Sequence, residues 1–593
     1  MLKFPYGESD FYKIITEGYL YVDRTDRIPL LENFGSQLSF LRPRRFGKSL
    51  LLSTLENYYD IARADEFECL FGHLAIGRQP TDLHNQYFVL RWDFSAVSPQ
   101  GRAQEIQQAL HRYLNARIRD FAVRYRELLP GAFDIDATDA LISFQSLLTR
   151  VQQTPYRLYL LIDEYDNFAN EVLMGSLTEG QQRYEELLYS EGALKTVFKA
   201  VKSAASGLGL DRVFITGVAP IVLNDMTSGY NVARSLSLET ELQSLCGFEE
   251  QEISDILLQI VEGCGFSQEK TAEILAFMRT MYNGYCFSYD SSQSVYNPML
   301  AIYFLDHLQR KCETPRKVLD SNLGMDQQKL VFASMLPYGE QVVQDAVNEE
   351  HPLNLEELLD GFGVKDLFEP EKDIGFTASL FYFLGVLTLG ERHEMGNLIL
   401  RVPNLVARKL YFERIQRILL PGVDKYMASQ AAERFFRTGD LQDVCDFVEQ
   451  RYFPVFSNRD YRWSNELTVK TAFLTLLFRD TFYVMDSKPE IERGYADLIM
   501  IVRPDMRSFQ LLDMVLEFKF ISLTDAKLTG EQARGMTIEA IKALPAVAEK
   551  LTDAARSLQR YRGMLETAYG DKLRLHAYVV LALGFERIVW EER

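Results

Sequence analysis

The sequence predicts a multidomain α/β protein with a parallel sheet at the N-terminus, a largely helical middle and a second, smaller α/β unit at the C-terminus. Three observations carry this. Four short apolar runs in the first 240 residues alternate with helix-length amphipathic segments, the pattern of βαβ units. From about 241 to 454 the apolar residues recur at helical spacing beside acidic faces. Near 455 strand-like runs return, preceded by one helix candidate and interrupted by another. A chain of 593 residues is long enough for three or four domains. The expected divisions are 1–240, a helical segment at 241–310, a helical connector at 311–454, and 455–593.

The N-terminal strands are expected at QLSFLRP (37–43), YFVLRWDFS (87–95), LYLLIDEY (158–165) and RVFITGVAP (212–220). Each is short and rich in Leu, Val, Ile or Phe, which suits a parallel sheet buried on both faces. In the middle, GFEEQEISDILLQI (247–260) has an acidic first turn followed by apolar residues at helical spacing, and reads as a core helix. In the C-terminal unit, NELTVKTAFLTLLFRD is a helix candidate. It precedes TFYVMDS, YADLIMIVRP, FQLLDMVLEFKF and LRLHAYVVLALGF, with a longer helix at about 537–568.

Composition sets the class. Apolar residues make up 47% and charged residues 25%, an ordinary globular balance that excludes wholesale disorder. The six cysteines are scattered with no C-x-x-C pair, which argues against a zinc ribbon or a disulfide framework and predicts a reducing cytoplasm. MLKFPYGESDFYKII lacks the apolar core of a leader, and no run approaches the length of a membrane span; no membrane association is expected. The seven histidines are isolated, so neither a His-based metal site nor a Ser–His–Asp set is expected. The net charge of −19 would discourage a polyanion partner, but its distribution matters more. Residues 455–593 hold 20 basic and 20 acidic side chains, residues 241–454 hold 19 and 33, and residues 1–240 hold 25 and 30. The acid is concentrated in the middle, leaving both ends free to meet phosphates.

Residues 42–49 read RPRRFGKS, close to the phosphate-loop pattern G-x-x-x-x-G-K-[ST] with Arg42 in the place of the first glycine. A strand before the loop and a helix after it supply the context that phosphate binding needs: inward amides and a positive helix end. Lys48 is expected on the β- and γ-phosphates and Ser49 on Mg²⁺, with Arg44, Arg45, Phe46, Gly47 and Leu50 wrapping the nucleotide. The second part is LIDEYD, where an apolar strand ends in Asp163 and Glu164. Asp163 is expected to hold the Mg²⁺ water shell and Glu164 to polarise the attacking water. Thr216, at the end of the fourth strand, is placed to sense the γ-phosphate, or is simply a satisfied hydroxyl.

YVDRT (21–25), SFLRPRRFGKSL (39–50), LIDEYD (161–166), FITGVAP (214–220), YNGYCF (282–287) and VYNP (295–298) occur in one order. Together they resemble the prokaryotic AAA-ATPase-like domain over roughly residues 4–310. In that family the arginine-rich loop stands in for the glycine-rich one. The resemblance implies a P-loop NTPase sheet with a helical lid, ATP as cofactor, and a homo-oligomer in which a neighbour's arginine completes the site, with Arg234 the candidate.

A second cluster lies near the C-terminus. If ADLIMIV and MVLEFKF pair antiparallel through RPDMRS, Glu517 and Lys519 share one face of their strand beside Asp497, while Phe518 and Phe520 face the other way. Asp497 and Glu517 could then hold Mg²⁺ or Mn²⁺, and Lys519 could orient water or stabilise a pentavalent phosphate. An E-x-K pair is also, commonly, a surface salt bridge. The arrangement resembles the PD-(D/E)XK nuclease superfamily, in a branch fused to the ATPase domain above, and so implies a restriction-endonuclease-like α/β fold. That resemblance assigns Glu466, on the preceding helix, as an additional acidic ligand, and Gln559 as a residue meeting nucleic acid or the metal site. Tyr561 stands at a shorter spacing from Gln559 than the superfamily's pattern. Lys488 and Arg493 are candidate phosphate contacts, or merely solvated charges.

The expected function is an ATP-dependent or ATP-regulated metal-dependent nuclease cleaving nucleic acid, DNA before RNA, with a role in defence against foreign DNA as one setting. The competing readings are a nucleotide-regulated scaffold whose nuclease-like domain binds without cutting, and a signalling NTPase with an inert appendage.

Overall fold

The computed structural model describes residues 1–98, 100–129, 131, 134–167, 192–220, 232–291, 293–318, 324–347, 353–360, 362, 373–390, 396–420, 425–458, 466–486 and 497–593. The chain divides into two compact units, Met1–Cys312 with Asp320–Asn404, and Glu313–Leu319 with Leu405–Arg593. The division therefore falls inside the segment 311–454.

In the first unit the four expected strands form at Gln37–Leu41 (β1), Tyr87–Asp93 (β2), Arg157–Asp163 (β3) and Leu210–Gly217 (β4), joined by a two-residue edge strand, Arg234–Ser235 (β5). All pair parallel in the order β2-β3-β4-β1-β5. Their near-continuous burial is what a sheet covered by helices on both faces requires. Because the strands are parallel, the polar residues that end them gather at one edge. Phe40 stands beside Thr216 and Leu41 beside Gly217, while Asp93 aligns with Asp163.

The segment expected as a lid holds helices Glu250–Cys264, Gln268–Tyr282 and Pro298–Lys311. Cys264 and Cys312, at the ends of the first and third, are joined as a disulfide, contrary to the expectation of uniformly reduced thiols. Packing of the two helices brings together residues that are 48 positions apart, a proximity no spacing rule reveals. Beyond these three helices the middle is helical, with helices at Gly324–Ser334, Gly339–Asp345 and Ile374–Phe383. It also carries a small antiparallel sheet of Leu353–Leu355 (β6), Thr388–Leu389 (β7) and Leu398–Arg401 (β8). Strands of two to four residues are too short to show an alternation in sequence. This layer explains YNGYCF. The Gly284 backbone (φ +103°) runs against it so closely that a Cβ would stand 1.9 Å from the Pro403 carbonyl oxygen. The neighbouring Cys286 amide donates to Thr388 Oγ1 at 2.7 Å.

The second unit holds a mixed sheet in the order β13-β12-β11-β10-β9. Tyr483–Asp486 (β9), Leu498–Val502 (β10) and Asp513–Ile521 (β11) pair antiparallel, Leu575–Leu583 (β12) lies parallel to β11, and Arg587–Glu592 (β13) closes the edge antiparallel to β12. Helix Pro545–Tyr569 covers the face that carries Val515 and Val579. Helix Glu466–Leu477 meets the other through Phe473 on Phe518, 5.1 Å between ring centroids. The helix expected over 537–568 is two helices: Ile538–Lys542 ends before Leu544, which is extended (ψ 131°) ahead of Pro545, as a residue preceding proline prefers. Buried Arg503 donates to the carbonyls of Asp480 (3.0 Å) and Pro315 (2.9 Å), tying Glu313–Leu319 into this unit.

Gly284→Ala should destabilise the first unit by about 3 kcal/mol, combining a left-handed backbone with a clash against a carbonyl. Gly396, also at positive φ but with open space around its would-be Cβ, should cost only ~1 kcal/mol as alanine. Paired denaturant titrations of the two variants measure the difference.

Candidate functional site

At the C-terminal edge of the parallel sheet the loop after β1 turns through Arg45 (φ 70°) and Gly47 (φ 96°) into helix Lys48–Tyr59. Gly47 is the N-cap and no side chain caps this end, so the first-turn amides point out of the helix at its positive end. Arg42, in the place of the first loop glycine, does not face a ligand. It is buried, donates to the carbonyls of Ser237 (2.7 Å) and Leu242 (3.1 Å), and lies between the rings of Phe40 and Phe287. Burial pulls its pKa down to about 10. Phe46 is likewise buried, edge-on to Tyr285 at 4.9 Å and Phe287 at 5.3 Å. Thus Arg42 and Phe46 of the loop are held by the rings of Tyr285 and Phe287 from YNGYCF, and this underlay takes the place of the first glycine.

Lys48 is 4% exposed, and its Nζ donates to the Pro43 carbonyl at 3.0 Å. Burial lowers its pKa, opposed by Glu164, Asp163 and Asp166. Asp163 is buried and accepts from Thr216 Oγ1 at 2.7 Å, from Arg91 at 3.0 Å and from the Glu164 amide at 3.1 Å. Glu164 sits at φ 45°; burial raises its pKa, with Lys48 and Arg44 opposing. Arg44 donates to Asn167. A cavity of about 270 Å³ opens over the loop, near the lower end of ligand-pocket sizes. Its walls include Arg45–Leu51 and Glu164 at one side, Leu20–Val22, Arg24 and Thr25 from the N-terminal segment, and Met299 and Ile302 from helix Pro298–Lys311. Arg234 pairs within its own chain, with Glu239 at 3.0 Å.

Two residues here escaped the sequence reading. Asp166 is buried and accepts from the amides of Val218 and Ala219 (2.9 Å for the latter), fixing the chain just past β4. Arg91 pairs with Asp163 and, at 3.5 Å, with Glu56. Its signal was a lone cation inside an otherwise apolar strand.

The C-terminal cluster forms on β10 and β11. The pairing of Leu498 with Leu516, continued by one residue, sets Asp497 directly across from Glu517, where side chains on one face meet. Asp497 Oδ2 accepts from the Phe518 amide at 2.8 Å. Lys519 Nζ stands 3.1 Å from Glu517 Oε1 and 3.3 Å from Glu466 Oε1, the latter at the start of its helix. Glu517 is 6% exposed, and its Oε2 is buried with no hydrogen-bond partner. Burial first, then the Asp497 charge, pushes the Glu517 pKa up to about 7. Burial pulls Lys519 down, but the three carboxylates outweigh it and raise it to about 12. Lys470, one helical turn after Glu466, lies with its Nζ 3.4 Å from Asp497 Oδ1; sequence reading passed over it as part of an apolar helix. Gln559 is exposed on helix Pro545–Tyr569, with no side-chain hydrogen bond to the cluster among the described residues, while Tyr561 belongs to the core. Lys488 and Arg493 lie outside the described residues. No three His, Cys, Asp or Glu side chains among the described residues converge tightly enough to hold a metal by themselves. A divalent ion here would rest on Asp497 and the unpartnered Glu517 oxygen, with water completing its shell.

Residues 5–227 match the AAA-ATPase-like family model, described as a predicted AAA-ATPase. The matched stretch contains the loop, the β3 acids and Thr216, and supports ATP binding and an ATPase assignment for this AAA-ATPase-like portion. An uncharacterised protein in the vnfD 5′ region of Azotobacter chroococcum mcd 1 is 24% identical over 555 residues, 88% of this chain and 90% of the relative. Among solved structures, the Aeropyrum pernix ORC2 protein (ADPNP–ADP complexes) is 11% identical over 68% of this chain and 97% of its own, TM-score 0.33. The Aeropyrum pernix ORC1 protein in complex with DNA is 13% identical over 67% and 95%, TM-score 0.23. Among the described residues, no helix is long and apolar enough to cross a membrane.

Glu517 gives the second unit a pH signature. A carboxyl whose pKa is raised by folding stabilises the fold fully below its unfolded value near 4.5, and that contribution is lost as pH rises through about 7. Without divalent ions, Glu517→Gln should therefore gain on the order of 2 kcal/mol over wild type between pH 5 and pH 8. Denaturant midpoints across that range provide the measurement.

Proposed function

We propose that the protein is an ATP-dependent, metal-requiring nuclease. In the N-terminal unit the loop amides and Lys48 take the β- and γ-phosphates at the helix end, and Ser49 and Asp163 hold Mg²⁺. Glu164, whose pKa burial raises, accepts a proton from the attacking water. Thr216, bonded to Asp163, links that acid to the strand beneath the loop.

In the C-terminal unit the observation that carries the reading is Asp497 across from Glu517, with an unpartnered buried oxygen on Glu517 and Lys519 on the same face. The element order of helix, three antiparallel strands, helix and parallel strand is in keeping with the PD-(D/E)XK resemblance. A bound Mg²⁺ or Mn²⁺ supplies a polarised phosphate oxygen and an acidified water. Asp497 and Glu517 hold it, Lys519 orients water toward the phosphorus and stabilises charge on the phosphate oxygens, and Glu466 keeps Lys519 in place. The substrate is a nucleic-acid backbone, with DNA as the first candidate and foreign DNA as a plausible target. Gln559, exposed on its helix, is a contact for that backbone rather than for the ion.

Incubating the full chain with circular and linear DNA, Mg²⁺ or Mn²⁺ and ATP tests this. Glu517→Gln and Lys519→Met should each lower cleavage by about 10³-fold. Lys48→Ala should abolish binding of a fluorescent ATP analogue, whereas Glu164→Gln should keep binding and slow hydrolysis about 100-fold. A non-cutting scaffold is favoured by the lack of a third acidic ligand among the described residues; intact DNA and RNA under every metal and nucleotide would establish it.

A further inference from the structure

Lys470 is 7% exposed, and its ammonium, which carries three donors, has a single side-chain partner among the described residues: Asp497 Oδ1 at 3.4 Å. It stands on the same helix as Glu466, four residues later, and reaches Asp497, one of the two facing carboxylates. A buried ammonium held by one long contact is poorly compensated. The carboxylate it touches is one that the metal-site reading of the preceding section needs.

We propose that Lys470 is a resident counter-cation that competes with the divalent ion for Asp497 and is drawn off by a substrate phosphate, so that metal and nucleic acid bind synergistically. The proposal rests on the metal-site reading and adds to it a role for Lys470 as a positioning residue. An ammonium near Asp497 repels a second cation, and a phosphate delivered beside it offers the oxygens that one carboxylate does not. Metal occupancy then follows arrival of the backbone.

Titrating Mn²⁺ into the full chain by calorimetry, with and without a non-cleavable phosphorothioate duplex, tests this. Wild type should bind Mn²⁺ weakly alone and more tightly with the duplex. Lys470→Met, and Lys470→Gln as a variant that keeps polarity, should bind Mn²⁺ alone ~10-fold more tightly than wild type, with little further gain from the duplex. Wild-type binding that is lost in Asp497→Asn but unchanged or weaker in both Lys470 variants overturns this proposal alone. Absence of Mn²⁺ binding in wild type, with or without duplex, removes the metal-site reading and the proposal with it.

Discussion

Charge in a dry interior has to be answered by opposite charge or by hydrogen bonds, and that constraint shapes both candidate sites. In the parallel sheet, Asp163 is answered by Arg91, Thr216 and a backbone amide, and Asp166 by two amides past β4. These contacts fix the ends of three adjacent strands relative to one another. In the C-terminal sheet, three carboxylates and two ammonium groups occupy a short stretch of β10, β11 and one helix, and one carboxylate oxygen is left unanswered.

The same constraint explains a loop without its first glycine. A glycine-rich loop is flexible and admits close approach of phosphate because it has no side chains. Here Arg42 points away from the cavity and spends its donors on the carbonyls of 237 and 242, between two aromatic rings. Phe46 is anchored under the loop by Tyr285 and Phe287. The left-handed turns that remain are made by Arg45 and Gly47. A rigid underlay thus replaces intrinsic freedom, and it makes the loop dependent on a segment some 240 positions downstream.

The N-terminal strands were legible because parallel strands buried on both faces are continuous apolar runs ending in polar residues. The β10–β11 pairing was legible because the alternation of Glu517 and Lys519 against Phe518 and Phe520 admits one arrangement of faces. What the sequence hid was set by distant packing: the Cys264–Cys312 bridge, the short β6–β8 sheet, the pairing of Arg91 with Asp163, and the N-terminal wall of the cavity. Lys470 was hidden for another reason. Long basic side chains ordinarily carry their charge to solvent, and only the strand opposite shows that this one does not.

The C-terminal cluster can be weighed as a fold-stabilising network or as a site. A network built for stability would satisfy its members, since a half-satisfied buried set is worse than an apolar one. Instead Glu517 keeps an oxygen without a partner and carries a pKa pushed up to about 7, while Lys470 has one long contact. One shortfall lies on β11 and the other on the helix that carries Glu466, both beside Asp497, and a divalent ion together with a phosphate would remedy both at once. That coincidence, more than the presence of an E-x-K spacing, is the reason to read the cluster as a place where something binds.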